Sequence, residues 1–264
     1  MADAIRIQKV NGLVGGIVFG PVESRRFGRS LGINPLPPDR KLCAFDCPYC
    51  ECGPTAHAES RQLERQPFPS VVDVIAALQN VMQGLAQDNT AIDSLTLTGN
   101  GETTLHPAFE EIVGGVIALR DRLLPGAQIV VLTNGTRLGN PAVRRALDRV
   151  DQCVVKIDAG RESTFQLINR PLEPMTLEAI AEAAAQLPRV VVQTLFVRGV
   201  VDNTGDVEIE KWIERVGHIH PQSVQIYSLD RKPAEAGLIA VPRPDLEHIA
   251  ERLASGTQLP VVVY

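Results

Sequence analysis

KLCAFDCPYCECG, residues 41–53, sets Cys43, Cys47, Cys50 and Cys52 within ten consecutive residues of a 264-residue chain that holds five cysteines in all. The spacing is C-x3-C-x2-C-x-C. A loop this compact does not make a disulfide scaffold, and a chain of this length buries a sizeable core without staples. An odd, clustered cysteine count suits metal binding better. No fourth Cys or His completes a zinc-finger pair downstream. Iron–sulfur cubanes normally take four thiolates. Three in one loop, Cys43, Cys47 and Cys50, would leave one iron open to a substrate or cosubstrate. The competing readings are a three-cysteine zinc loop and cysteines that fall together by coincidence.

The totals narrow the field. Hydrophobic residues are 44% and charged residues 22% of the chain, ordinary for a globular protein. The net charge of −5 argues against bulk nucleic-acid binding, though not against a local basic pocket. No apolar run reaches the length of a membrane span. LVGGIVFG near the N-terminus is too short, and no small-residue cleavage site follows it. The expected location is therefore cytoplasmic, with reduced thiols and no membrane partner.

Around the cysteine loop, short apolar runs alternate with longer amphipathic ones. GGIVFG (15–20) and SLGINP (30–35) read as strands before the loop. Further strands are expected at 93–99, 128–135, 152–160, 189–199 and 223–230, and PVVVY closes the chain. Helices are expected from Ser70, where Ser70-Val71-Val72-Asp73 forms a capping box, and at 107–119, 141–147, 175–186, 207–216 and 244–253. IVVL and VVVQTLFV are continuously apolar, the mark of parallel strands buried on both faces. About six β-then-α units predict an α/β fold, a partial (β/α)6 TIM-like barrel of parallel strands. The whole chain, 1–264, reads as one domain: a short N-terminal strand extension over about 1–30, then the barrel over about 31–264. In such folds the chemistry sits at the carboxyl ends of the strands.

CAFDCPYC, with Tyr49 before the last cysteine, resembles the signature of the radical S-adenosylmethionine (SAM) enzymes. The resemblance implies a [4Fe-4S] cluster on Cys43, Cys47 and Cys50. Its open iron would chelate the amino and carboxylate groups of SAM. Reductive cleavage would give methionine and a 5′-deoxyadenosyl radical that abstracts a substrate hydrogen. Gly99-Asn100-Gly101-Glu102, after the next strand, is similar to the family's Gly-Gly-Glu motif, with Asn100 in place of one glycine. Glu102 would then accept from the SAM ammonium. Thr133-Asn134-Gly135-Thr136 resembles the family's TNG, near the methionine or ribose part of SAM; its other reading is a strand-to-helix turn capped by Asn134. Lys156 and Asp158 share one face of their strand. The resemblance puts residues that bind SAM carboxylate, ribose or substrate at this level, and the alternative is an ion pair on a sheet edge. Gln193 and Gln225 are either lumen polar groups near adenine and substrate or partners for neighbouring backbone.

Ser24, Arg25, Arg26 and Arg29, with Asn169-Arg170-Pro171, resemble a subgroup that includes wyosine-synthesis-like iron–sulfur oxidoreductases. These arginines would hold an anionic substrate or clamp the N-terminal strands to the barrel. Cys52 and Cys153 are too few for a second cubane. Cys52 reads as a thiyl relay, a hydrogen-atom donor or a small residue packed in the turn, and Cys153 as a buried small hydrophobe. The short stretch after residue 230 predicts no large substrate domain and a barrel open on one side. Three functions remain. The first is a radical SAM enzyme fed by an external one-electron donor of flavodoxin or ferredoxin type, acting on an unidentified substrate. The second is an activase that installs a glycyl radical on a partner. The third is a zinc- or cluster-binding regulatory protein.

Overall fold

The computed structural model describes residues 9–10, 12–56, 67–231 and 233–264. Positions 1–8 and 11 of the expected N-terminal extension lie outside the described residues. The chain opens with β1 (Lys9–Val10) and β2 (Leu13–Val14), an antiparallel pair. The hairpin β3 (Val18–Ser24) and β4 (Gly28–Ile33) follows, then the cysteine loop and α1 (Val71–Gln87). From there strands and helices alternate: β5 (Ser94–Leu97), α2 (Phe109–Leu123), β6 (Gln128–Thr133), α3 (Pro141–Leu147), β7 (Gln152–Lys156), α4 (Glu162–Ile168) and α5 (Leu177–Ala185). The last part holds β8 (Val190–Leu195), β9 (Val197–Gly199), α6 (Asp206–Ile219), β10 (Ser223–Tyr227), β11 (Leu238–Ala240), α7 (Arg243–Thr257) and β12 (Val261–Val263).

Eight strands form one sheet in the order β12-β10-β8-β7-β6-β5-β4-β3. All neighbours are parallel except β3 and β4. The sheet curls into a half-barrel, so the expected architecture is found. PVVVY supplies a further parallel strand, β12, beside β10. The expected strand 189–199 is two. It breaks at Phe196, whose N–H donates to the Tyr227 carbonyl. Asn203 ties the break by accepting from Val197 N and donating to the Leu195 and Asp158 carbonyls. Helix α4 is absent from the sequence reading; it has no side-chain N-cap, whereas α3, equally short, is announced by Asn140 and Pro141. Among the described residues, no helix is long and apolar enough to cross a membrane.

The two faces of the sheet differ in a way that places the site. Leu95, Leu97, Ile129, Val131, Val155, Val192 and Ile226 point to the helices and join the main core. Alternate residues Val130, Val154 and Val191 point into the half-barrel and make a small apolar floor, against which Phe27 packs. Two residues further along the strands, the same face turns polar. Lys156 stands in register with Gln193, and Gln193 with Gln225. Period-two alternation therefore stacks a dry floor beneath a polar rim at the carboxyl ends. Helix α1 closes one flank, and its start is the expected capping box: Asp73 N–H donates to Ser70 Oγ at 3.1 Å, and Ser70 N–H to Asp73.

Candidate active site at the carboxyl ends of the strands

The cysteine loop is pressed onto the sheet by a backbone clasp. Leu42 N–H donates to the Asn100 carbonyl and Glu102 N–H to the Leu42 carbonyl, both at 2.9 Å. This clasp dictates Gly101. Its φ is +130°, and a Cβ there would stand 1.8 Å from the Leu42 carbonyl oxygen. Gly101→Ala is expected to cost about 2–5 kcal/mol, from backbone strain and overpacking together. Gly53→Ala, at φ +78° with nothing within 4 Å, should cost only about 1–2 kcal/mol of left-handed strain. Chemical denaturation midpoints and iron retained per chain check both; equal midpoints would refute the clasp.

Cys43, Cys47 and Cys50 line one cavity of about 220 Å³, together with Tyr49, Gly101, Glu102, Asn134, Lys156 and Gln193. Those nine sequence candidates are thus brought together. Gly99, Asn100 and Asp158 are not on its wall. Gly99 packs on Asn34, where a Cβ would fall 2.1 Å from Oδ1. Asn100 is fully buried, and its amide is spent on Val14 N, Val14 O and the Pro37 carbonyl. It holds strand β2 and the proline-rich turn to the end of β5.

Glu102 is 2% exposed. Its Oε1 accepts from Thr104 N, Thr104 Oγ1 and Thr133 Oγ1, and its Oε2 from Asn134 N at 2.6 Å. Burial raises its pKa, against the pull of those hydrogen bonds. The carboxylate therefore locks the ends of β5 and β6 together while Oε2 keeps a lone pair for a donor from the cavity. Asn134 reaches the other way: its amide nitrogen lies 3.6 Å from Cys43 Sγ.

Asp158 is the hub of a second cluster. It accepts from Lys156 at 2.8 Å, Leu195 N at 2.8 Å, Asn169 Nδ2 at 3.0 Å and the Tyr49 hydroxyl. The sheet-edge reading fails, because β7 lies between β6 and β8. Burial works against the Lys156 ammonium, but Asp158 and Tyr227 outweigh it and raise its pKa. Its Nζ lies 3.0 Å from the Tyr227 hydroxyl and between the Tyr49 and Tyr227 rings, 5.4 and 4.8 Å from their centroids. Gln193 donates to Gln225 at 2.9 Å, which orients both amides.

The thiols differ from one another. Burial pushes Cys43 far up and Cys47 up to about 12. Cys50 is lowered to about 5, first by a hydrogen bond from Cys52 and then by Lys41, against its burial. Lys41 is 5% exposed, donates to the Gly53 carbonyl at 2.7 Å and feels all three thiols, which raise its pKa despite its own burial. The sequence reading missed Lys41, and it did not assign Asn169 a place beside Cys47, where the side-chain amide stands 3.6 Å from Sγ. Its signal was the Asn169-Arg170-Pro171 motif, whose Arg170 instead pairs with Glu235 outside the cavity. Among the described residues, no group of three or more His, Cys, Asp or Glu side chains is arranged to hold a single metal ion.

Residues 41–212 match the family model described as the Radical SAM superfamily, and this stretch is more than half of the chain. The chain belongs to the radical SAM superfamily, a superfamily of enzymes. Its relatives include a UPF0026 protein of Helicobacter pylori, 33% identical over 199 residues that cover 73% of this chain and 60% of that protein. A UPF0026 protein of Synechocystis is 33% identical over 210 residues, 79% of this chain and 74% of that one. The chain thus spans 60% of the length of the Helicobacter pylori relative it matches. A structure of TYW1 with a lysine–pyruvate adduct bound superposes with a TM-score of 0.60 at 14% identity, covering 86% of this chain and 73% of that one. A radical SAM methyltransferase from Sphaerobacter thermophilus gives 0.62 at 16% identity, covering 89% and 65%. At these identities the likeness is one of fold.

Proposed function

We propose that the chain is a radical SAM enzyme in which Cys43, Cys47 and Cys50 hold one [4Fe-4S] cluster and the adjoining wall holds SAM. The observation that carries this is the single cavity lined by all three thiols together with Glu102, Asn134 and Lys156. The donor chemistry fits. A bound cation would hold the three thiols that face this cavity as thiolates, and Lys41 alone supplies only one charge. Three thiols on one cavity can each hold one corner iron of a four-iron cube and leave the fourth iron open. Bound together, the cluster and SAM supply a 5′-deoxyadenosyl radical that takes a hydrogen atom from a substrate.

The chain's own residues then have separate tasks. Glu102 Oε2 accepts from the SAM ammonium, a charge-assisted bond made in a water-poor wall. Lys156 offers a cation to the SAM carboxylate, held in place by Asp158. Beside Lys156, Tyr227 and Gln193, the latter oriented by Gln225, offer further donors and acceptors. Lys41 offsets part of the thiolate charge and so favours an added electron. That electron comes from an external donor of flavodoxin or ferredoxin type.

The test is anaerobic reconstitution followed by dithionite and SAM without substrate. Methionine and 5′-deoxyadenosine are quantified against the same protein stripped of iron by chelation. Iron-dependent 5′-deoxyadenosine is the expected result. Tight zinc in place of iron, with no SAM cleavage after reconstitution, would overturn the reading.

A further inference from the structure

A second, larger cavity of about 680 Å³ adjoins the first. Tyr49, Cys50 and Tyr227 line both, so the two spaces meet at the cysteine loop. Its outer wall is the turn between β3 and β4, which carries Arg25 and Arg26, and it is completed by Arg231. The acidic residues on the wall are engaged. Asp230 pairs with Arg25, Glu51 with Arg231, and Glu23 lies 3.8 Å from Arg29 with its side chain 84% exposed.

Arg26 stands apart. Among the described residues its guanidinium donates no hydrogen bond, and its Nε is buried without an acceptor. The guanidinium lies over the Tyr227 ring at 4.1 Å from the centroid and 5.2 Å from that of Tyr264. Burial lowers its pKa, yet an arginine stays charged. The turn itself is fixed, since Arg26 N and Phe27 N both donate to Ser24 Oγ at 3.2 Å, and Phe27 is seated on the floor of the half-barrel. A guanidinium against two rings, with its Nε buried and unanswered, is suited to a planar or tetrahedral set of oxygens.

We propose that this cavity is the substrate side of the site and that Arg26 binds a negatively charged group of the substrate, a carboxylate or a phosphate. The assignment of the cavity to substrate rests on the radical reading above. The structure thereby divides the cations that the sequence singled out. Arg25 braces the cavity through its ion pair and Arg26 recognises, while Arg231, which the sequence did not single out, is a second brace.

The experiment is thermal unfolding of the cluster- and SAM-loaded protein at constant ionic strength. Chloride is replaced stepwise by inorganic phosphate in one series and by acetate in another, since a ligand that binds only the folded state raises the melting temperature. One anion is expected to raise it saturably. Its apparent Kd should rise about tenfold or more in both Arg26→Gln and Arg26→Lys. Lysine keeps a cation between the rings, so it decides the matter if the glutamine variant fails to fold. A response to phosphate alone identifies a phosphorylated substrate, and to acetate alone a carboxylate. No stabilisation beyond chloride, or equal responses in wild type and Arg26→Lys, would overturn the proposal. The same samples are assayed for 5′-deoxyadenosine. Arg26-dependent anion binding without SAM cleavage sinks the radical reading and leaves the anion site; cleavage without such binding sinks the anion site alone.

Discussion

A Cys47→Ala protein is expected to reconstitute without a stable cluster and to form 5′-deoxyadenosine only at the background of iron-free protein. Cys52→Ala, five residues further on, is expected to keep iron content and SAM cleavage within about twofold of wild type, the range of a substitution away from the metal. The two thiols look alike in the sequence, and the cavities separate them. Cys47 lines the smaller cavity with Cys43 and Cys50. Cys52 lines only the larger one, with its Sγ 3.7 Å from the Gly99 carbonyl. Losing one of three protein thiolates leaves two for about four irons, too few to anchor a cubane. Losing Cys52 removes a hydrogen bond to Cys50 and no cluster ligand. The measurements are iron and sulfide per chain, visible absorbance, and 5′-deoxyadenosine after reduction. Iron lost equally from both variants would mean that the loop supplies four ligands and has no open position, and the proposed function would fall with the three-thiol assignment.

How much of this was legible in the sequence follows from how local each cause is. The parallel sheet was readable because IVVL and VVVQTLFV carry their burial in their composition. The start of α1 was readable because Ser70 and Asp73 are three residues apart and satisfy each other. Gly101 was legible only as part of the Gly99-Asn100-Gly101-Glu102 motif, and its physical cause lies in the fold: it makes room for the Leu42 carbonyl. Asn100 had the same motif behind it and turns out to bond Val14, 86 positions away. Asn169 beside Cys47 is separated from it by 122 positions, and Tyr227 from Lys156 by 71. No periodicity or cap records such pairings; only the closing of the sheet brings them together. Lys41 was within the quoted stretch and was still missed, since a lysine beside a loop reads as solvated until its burial is known.

The largest stability effect is expected at Asp158, where the candidate site and the fold depend on one carboxylate. Its side chain is fully buried, while that of Lys156 is 17% exposed. Removing one partner of a buried pair strands the other, so Asp158→Asn is expected to lower stability by about 3–5 kcal/mol. An amide also presents Asn169 Nδ2 and the Tyr49 hydroxyl with a donor where they now find an acceptor. Tyr49 sits between Cys47 and Cys50, so the loss reaches the thiols and iron retention should fall with stability. Lys156→Met should cost less, because the Asp158 carboxylate it leaves behind still accepts from Leu195 N, Asn169 Nδ2 and the Tyr49 hydroxyl, and the methionine keeps the stem packed. The cycle gives the argument its force. In the double variant no charge is left stranded, so its destabilisation should fall short of the sum of the singles by about 1–3 kcal/mol. Urea midpoints of the four proteins measure this directly. Costs that add to within about 0.5 kcal/mol would mean that Asp158 acts only through Leu195, Asn169 and Tyr49. Lys156 would then be a cation placed for SAM with no structural debt to its neighbour.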